Sequence, residues 1–179
     1  MAIDSRDQLW NAAFETYYDA FFQEMLSEKL IARWQRVDQL TRVLAALTAS
    51  SSAVSGWALW TQPQFKTAWT IIAGFAAALT IIHATLGVPE RVRDQGEIKR
   101  RWAAVRTDLE TFRYRMKIDP NFQVDTFTNE FSGYRKRYAD SIQLLKDDIL
   151  TTKRTLEMVQ GNLNRTLADE IELKGEALS

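Results

Sequence analysis

The sequence predicts an all-α membrane protein: a two-helix transmembrane hairpin, preceded by an amphipathic helix and followed by a cytoplasmic helical hairpin or coiled coil. Three observations carry that expectation. Nearly all of the charge lies outside residues 43–88. Only 7 Gly and 3 Pro occur in 179 residues, while Ala, Leu, Glu, Lys and Arg are abundant, which favours helices over a turn-rich β fold. Apolar residues on either side of the charge-free zone step by three and four, the signature of a helix seam. The expected organisation is an N-terminal helix over 1–39, a membrane hairpin over 40–89 and a helical domain over 90–179.

Residues 8–35 read as an amphipathic helix with Trp10, Phe14, Tyr17, Phe21 and Met25 on its apolar face. That face packs on the other helices or lies among lipid headgroups. The segment 3–18 is acidic and aromatic and has no basic start followed by a continuous apolar core, so it does not read as a secretory signal. No helix breaker occurs over 37–41, and the helix is expected to run on into the first span.

The spans are expected at about 43–60 and 67–88. No charge lies between Arg42 and Lys66, and between Lys66 and Glu90 the only ionisable side chain is His83. At about 1.5 Å per residue the second run reaches roughly 33 Å, enough for a hydrocarbon core of about 30 Å. Ser50, Ser51, Ser52 and Ser55 dilute the first run, and two buried helices of a bundle are the alternative. Lys29, Arg33, Arg36 and Arg42 before the hairpin, and Arg91, Arg93, Arg100 and Arg101 after it, put both termini in the cytoplasm. The last four also suit anionic headgroups at the inner leaflet. Trp57, Trp60 and Trp69 are expected near the outer interface.

Within the spans, Thr48, Ser52 and Ser55 follow one face, while Ser52 with Gly56 and Gly74 with Ala78 make small-residue pairs that let helices approach closely. Thr80, His83 and Gly87 share a stripe. These positions are either ordinary packing or a polar seam formed when several copies assemble, with His83 as a titratable gate in a third reading.

After Pro89, the positions Ile98, Trp102, Val105, Leu109, Phe112 and Met116 form a heptad seam. Asp119, Pro120 and Asn121 break it. Tyr138, Ile142, Leu145, Ile149, Thr152, Leu156, Val159 and Leu163 resume the stepping, which predicts one long second helix, weakened at Gly161. Two basic and aromatic clusters interrupt the seams: Phe112 to Arg115 and Tyr134 to Tyr138. Arg113, Arg115, Arg135 and Arg137 suit the phosphates of a nucleotide or phosphorylated signal, or are solvated faces answered by Asp108, Glu110 and Asp140.

With 23 basic and 23 acidic residues, net charge names no partner, and no nucleic acid is expected. Zero Cys and one His exclude a disulfide framework, thiolate metal sites and a multi-histidine metal centre. No glycine-rich phosphate loop, metallohydrolase motif or serine elbow occurs, so neither catalysis nor a cofactor is expected. The expected partners are membrane lipids, further copies of the chain, and a sensor protein or nucleotide signal.

The aromatic N-terminal helix, the basic approach ending in Arg42, the two-span hairpin and the basic heptad helix around Arg100-Arg101-Trp102 together resemble a known layout. It is that of the SMODS- and SLOG-associating two-transmembrane (SLATT-like) effectors of bacterial antiviral conflict systems, and it covers about 10–116. The resemblance implies a multi-pass bacterial inner-membrane protein, both termini cytoplasmic. Once triggered during phage infection, it would oligomerise and disrupt the membrane or form a pore. The chain departs from effectors fused to a sensor, because nothing after Phe131 looks like a sensor fold. The alternatives are a non-toxic anchored coiled-coil scaffold and a receptor for a phosphorylated or nucleotide signal.

Overall fold

The computed structural model describes residues 4–54, 85–121, 123–145 and 148–176, with 67, 70, 71, 74, 75, 77, 78 and 81 between them; side chains are described at these positions except 47–54 and 171–176. Helices α1 (Ser5–Val54), α2 (Val88–Ile118), α3 (Val124–Ile142) and α4 (Lys153–Glu176) order the described residues. The chain divides into two units, one formed by 1–30 with 95–179 and one by 31–94.

In the first unit, α1 starts where Asp4 accepts the Arg6 backbone N–H at 3.0 Å, relieving one of the unpaired amides of a helix N-terminus. Its buried seam is Leu9, Ala13, Thr16, Tyr17 and Ala20. This lies one residue earlier than the aromatic face expected from the sequence: Tyr17 is buried, whereas Phe14 remains 37% exposed. The small side chains at 13, 16 and 20 explain the rotation, because they leave room for the large residues of α2. The heptad seam of α2 is realised in full, with Ile98, Trp102, Val105, Leu109, Phe112 and Met116 all buried in one core. Burying a large side chain of this kind stabilises by roughly 1.5–3 kcal/mol.

The turn after α2 forms as its residues dictate: the Asp119 carboxylate accepts the Asn121 N–H at 2.8 Å. Helix α3 then lays Phe127, Phe131 and Tyr134 on Phe112, with ring centroids 5.6, 5.9 and 5.4 Å away, and Tyr138 edge-on to Trp102 at 5.4 Å. Helix α4 contributes Thr155, Val159 and Leu163 as buried residues.

The long second helix expected from Tyr138 through Leu163 is two helices. Tight turns end α3, with Leu144 N–H bonding the Ser141 carbonyl at 3.2 Å and Leu145 N–H bonding that of Ile142 at 2.9 Å. The Asp148 carboxylate then accepts the Leu150 N–H at 2.8 Å, and the Thr152 hydroxyl accepts the Thr155 N–H at 3.3 Å to cap α4. Side-chain oxygens that capture backbone amides win over the apolar stepping. Ile142 and Ile149, expected in a seam, are exposed at 44% and 64%.

In the second unit Trp34 and Val88 are buried. Gly87 adopts φ 57°, a conformation that disfavours side chains, and Pro89 follows in the first turn of α2, where its missing N–H costs nothing. Ile71, Phe75 and Ile81 are exposed.

The two-span transmembrane hairpin, and with it a multi-pass inner-membrane location, are corrected by the structure: among the described residues, no helix is long and apolar enough to cross a membrane. Within the described residues α1 carries a charge-free stretch over 43–54. Ahead of it the same helix carries Arg33, Arg36, Asp38 and Arg42, the last two paired at 3.0 Å. Helix α2 places Glu90, Arg91, Arg93 and Asp94 in its first two turns. Residues 55–66 of the expected hairpin, and 68, 69, 72, 73, 76, 79, 80 and 82–84, lie outside the described residues.

Candidate functional site

The four arginines proposed for phosphate are held apart by separate partners. Arg113 lies over three rings of α1, its guanidinium carbon 4.6 Å from the centroid of Trp10, 4.7 Å from Phe14 and 5.0 Å from Tyr17. Among the described residues its buried Nε has no hydrogen-bond partner, and burial lowers its pKa from the usual guanidinium value. Arg115 donates to Glu130 at 2.7 Å, and Arg137 to Asp108 at 2.6 Å. Arg135 reaches the Thr16 hydroxyl at 3.5 Å and lies 5.9 Å from the Tyr138 ring. All four join helices of the same unit.

Other contacts do the same work. Arg106 donates to Glu24 at 2.6 Å, and this bond holds its pKa above the usual value despite burial, the largest contribution, which acts to lower it. Lys99 pairs with Glu28 at 2.8 Å, Arg6 donates to the Met116 carbonyl, and Gln160 donates to the Tyr18 hydroxyl. The Tyr134 hydroxyl donates to Glu130 at 2.6 Å; burial and then this carboxylate push its pKa up to about 12.

Of the span positions, Thr48 and Ser52 lie on α1, while Ser55, Gly56, Thr80 and His83 lie outside the described residues. Gly74 and Ala78 are helical and exposed, and a Cβ at Gly74 would meet nothing within 4 Å. Arg91, Arg93, Arg100 and Arg101 lie on α2; Arg101 pairs with Glu97 at 2.7 Å and Arg93 with Asp94 at 3.8 Å.

None of these residues lines a pocket of the first unit, a space of about 410 Å³ between α1, α2 and Leu145, Asp148 and Thr151 of the connection between α3 and α4. Its size falls in the range of small-ligand sites. Leu26 and Leu30 of α1, Ile98 of α2 and Leu145 of the connection form apolar walls. Ser27, Gln95 and Asp148 are the buried polar groups, and Gln23 and Thr151 complete the lining. Gln95 Nε2 donates to Asp148 Oδ2 at 3.1 Å, so the two groups answer each other. Ser27 is 2% exposed.

The sequence reading missed this pocket. Ser27 and Gln95 are ordinary positions on amphipathic helices, and Asp148 reads as one of an acidic pair on a helix surface. The available signal was the turn chemistry of Asp147-Asp148 followed by Thr151-Thr152, which marks a connection able to fold back on α2. Nothing in local spacing places that connection against 23–30 and 95–98. No family model, curated protein or solved structure matches the chain, so the layout resemblance rests on the order of its segments alone.

Proposed function

We propose that this protein is a non-enzymatic helical receptor that takes a small ligand in the pocket between α1, α2 and the 143–152 connection. The observation that carries the reading is the buried Gln95–Asp148 hydrogen bond among apolar walls in a cavity of about 410 Å³. A few placed polar groups among apolar walls are the usual make-up of a small-ligand site. Occupancy would bridge the connection to α1 and α2 and so report on the ligand through the connection's order. The test is a fragment titration followed by amide NMR. The reading expects shifts confined to the neighbourhood of Ser27, Gln95, Ile98 and Asp148, together with slower hydrogen exchange over 148–152. A diverse fragment set that leaves those amides unmoved at millimolar concentration would remove the receptor.

A second reading, a self-assembling scaffold, is supported by the exposure of Ile142, Ile149 and Leu156, apolar positions left uncovered by their own unit. Equal numbers of acidic and basic residues offer little net repulsion between copies. Sedimentation across a concentration series tests it: the scaffold expects association that Ile149→Glu weakens, and a strictly monomeric chain removes it.

A further inference from the structure

We propose, resting on the receptor reading above, that the ligand of this pocket is an uncharged and largely aliphatic small molecule. The charge of the cavity is already answered from within the protein. Among the described residues that line it, Asp148 is the only charged one, and both of its carboxylate oxygens accept hydrogen bonds: Oδ2 from Gln95 Nε2 at 3.1 Å and Oδ1 from the Leu150 N–H at 2.8 Å. These are not its only interactions. Glu24, Glu28 and Lys99, which adjoin lining positions in the sequence, are paired as well, Glu24 with Arg106 at 2.6 Å and Glu28 with Lys99 at 2.8 Å.

A charged ligand of either sign would therefore leave water for a space that offers it no free counter-charge, and burying an unpaired charge costs far more than burying a neutral group. A carboxylate or phosphate would also meet Asp148. An ammonium would compete with the Gln95 amide and the Leu150 N–H for the same two oxygens. An uncharged body has neither cost. Leu26 and Leu30 of α1, Ile98 of α2 and Leu145 of the connection offer it apolar contact from three elements, and each methylene removed from water there favours binding. The rest of the described lining is amide and hydroxyl side chains, which carry no charge. This chemistry differs from the phosphate binding that the arginine clusters suggest from sequence, and it uses none of those arginines.

The experiment is calorimetric titration of the full chain at neutral pH with 1-hexanol, n-hexylamine and hexanoate, followed by methyl NMR of Leu30 and Ile98. The three probes share one aliphatic body and carry no charge, a positive charge and a negative charge. Saturable binding of 1-hexanol is expected, with a negative heat-capacity change and with both ions at least about tenfold weaker. Shortening the alcohol to 1-pentanol and then 1-butanol should weaken it about fourfold per methylene removed, the ratio that burial of one methylene gives. Leu145→Glu places a new carboxylate on the wall at a position 39% exposed, where the fold accommodates a charge. It should weaken 1-hexanol and improve n-hexylamine at least about tenfold relative to the alcohol. The comparison of the three probes on the unaltered chain needs no variant. Equal affinity for all three, an ion binding more tightly than the alcohol, or an unchanged preference in folded Leu145→Glu overturns the uncharged ligand while leaving a receptor. Failure of every probe to move the Leu30 and Ile98 methyls overturns both.

Discussion

Arg113 illustrates how far a side chain's role is from its sequence neighbours. It sits between Phe112 and Tyr114, yet the rings that hold it come from α1, the first helix of the chain. Cation–π contacts away from water contribute up to about 2 kcal/mol, and a planar guanidinium stacks where an ammonium does not. Arg113→Lys is therefore expected to cost about 1–2 kcal/mol in chemical denaturation; an unchanged midpoint would show the stacking to be incidental. Tyr134 gives a pH prediction. Its folded pKa is raised from 10.0 to about 12, so its contribution to stability is fully present below about pH 10 and is lost as pH rises to about 12. Phenolate absorbance should show a tyrosine titrating near pH 12 in the folded chain. Glu130→Gln should move that step toward 10, because the neighbouring carboxylate no longer opposes the phenolate; a step left in place would assign the shift to burial alone.

At the scale of elements, caps and close approach decide where the apolar stepping is honoured. Helix α4 begins at a threonine cap, and replacing an N-cap hydroxyl costs about 1 kcal/mol. Thr152→Ala should lower the melting temperature by roughly 2–4 °C for a chain of this size. No change would mean that packing at Thr155, Val159 and Leu163 alone fixes the start of the helix. A methyl added at Gly161 would have no atom within 4 Å, and the backbone there is ordinary helix. Gly161→Ala should stabilise by about 0.5–1 kcal/mol, measured by denaturant titration. Gly87 is the contrast: at φ 57° an added Cβ is strained and lies 3.3 Å from the Glu90 carboxylate, so Gly87→Ala should destabilise. The seam of α1 shows why face assignment failed where helix assignment succeeded. Size-weighted reading selects Trp10 and Phe14, whereas helix packing selects Ala13, Thr16 and Ala20, which admit the bulk of α2.

For the molecule as a whole, Phe112 is the point at which α2 and α3 meet, touching three aromatic rings with no exposed surface. Phe112→Ala should cost about 3–5 kcal/mol, against a much smaller loss for Phe14→Ala at a 37% exposed position. Comparable losses at the two sites would contradict a core centred on α2. By itself the sequence determined that the protein is helical, that α2 buries the stripe from Ile98 to Met116, and that the chain turns at Asp119-Pro120-Asn121. Those features follow from periodicity and turn chemistry, which act over a few residues and are written in order along the chain. Tertiary structure alone decided the rotation of α1, the partners of the four arginines and the meeting of Ser27, Gln95 and Asp148 in one pocket. These depend on which distant surface each helix face meets, and side-chain volume and charge select that surface only after the helices have packed.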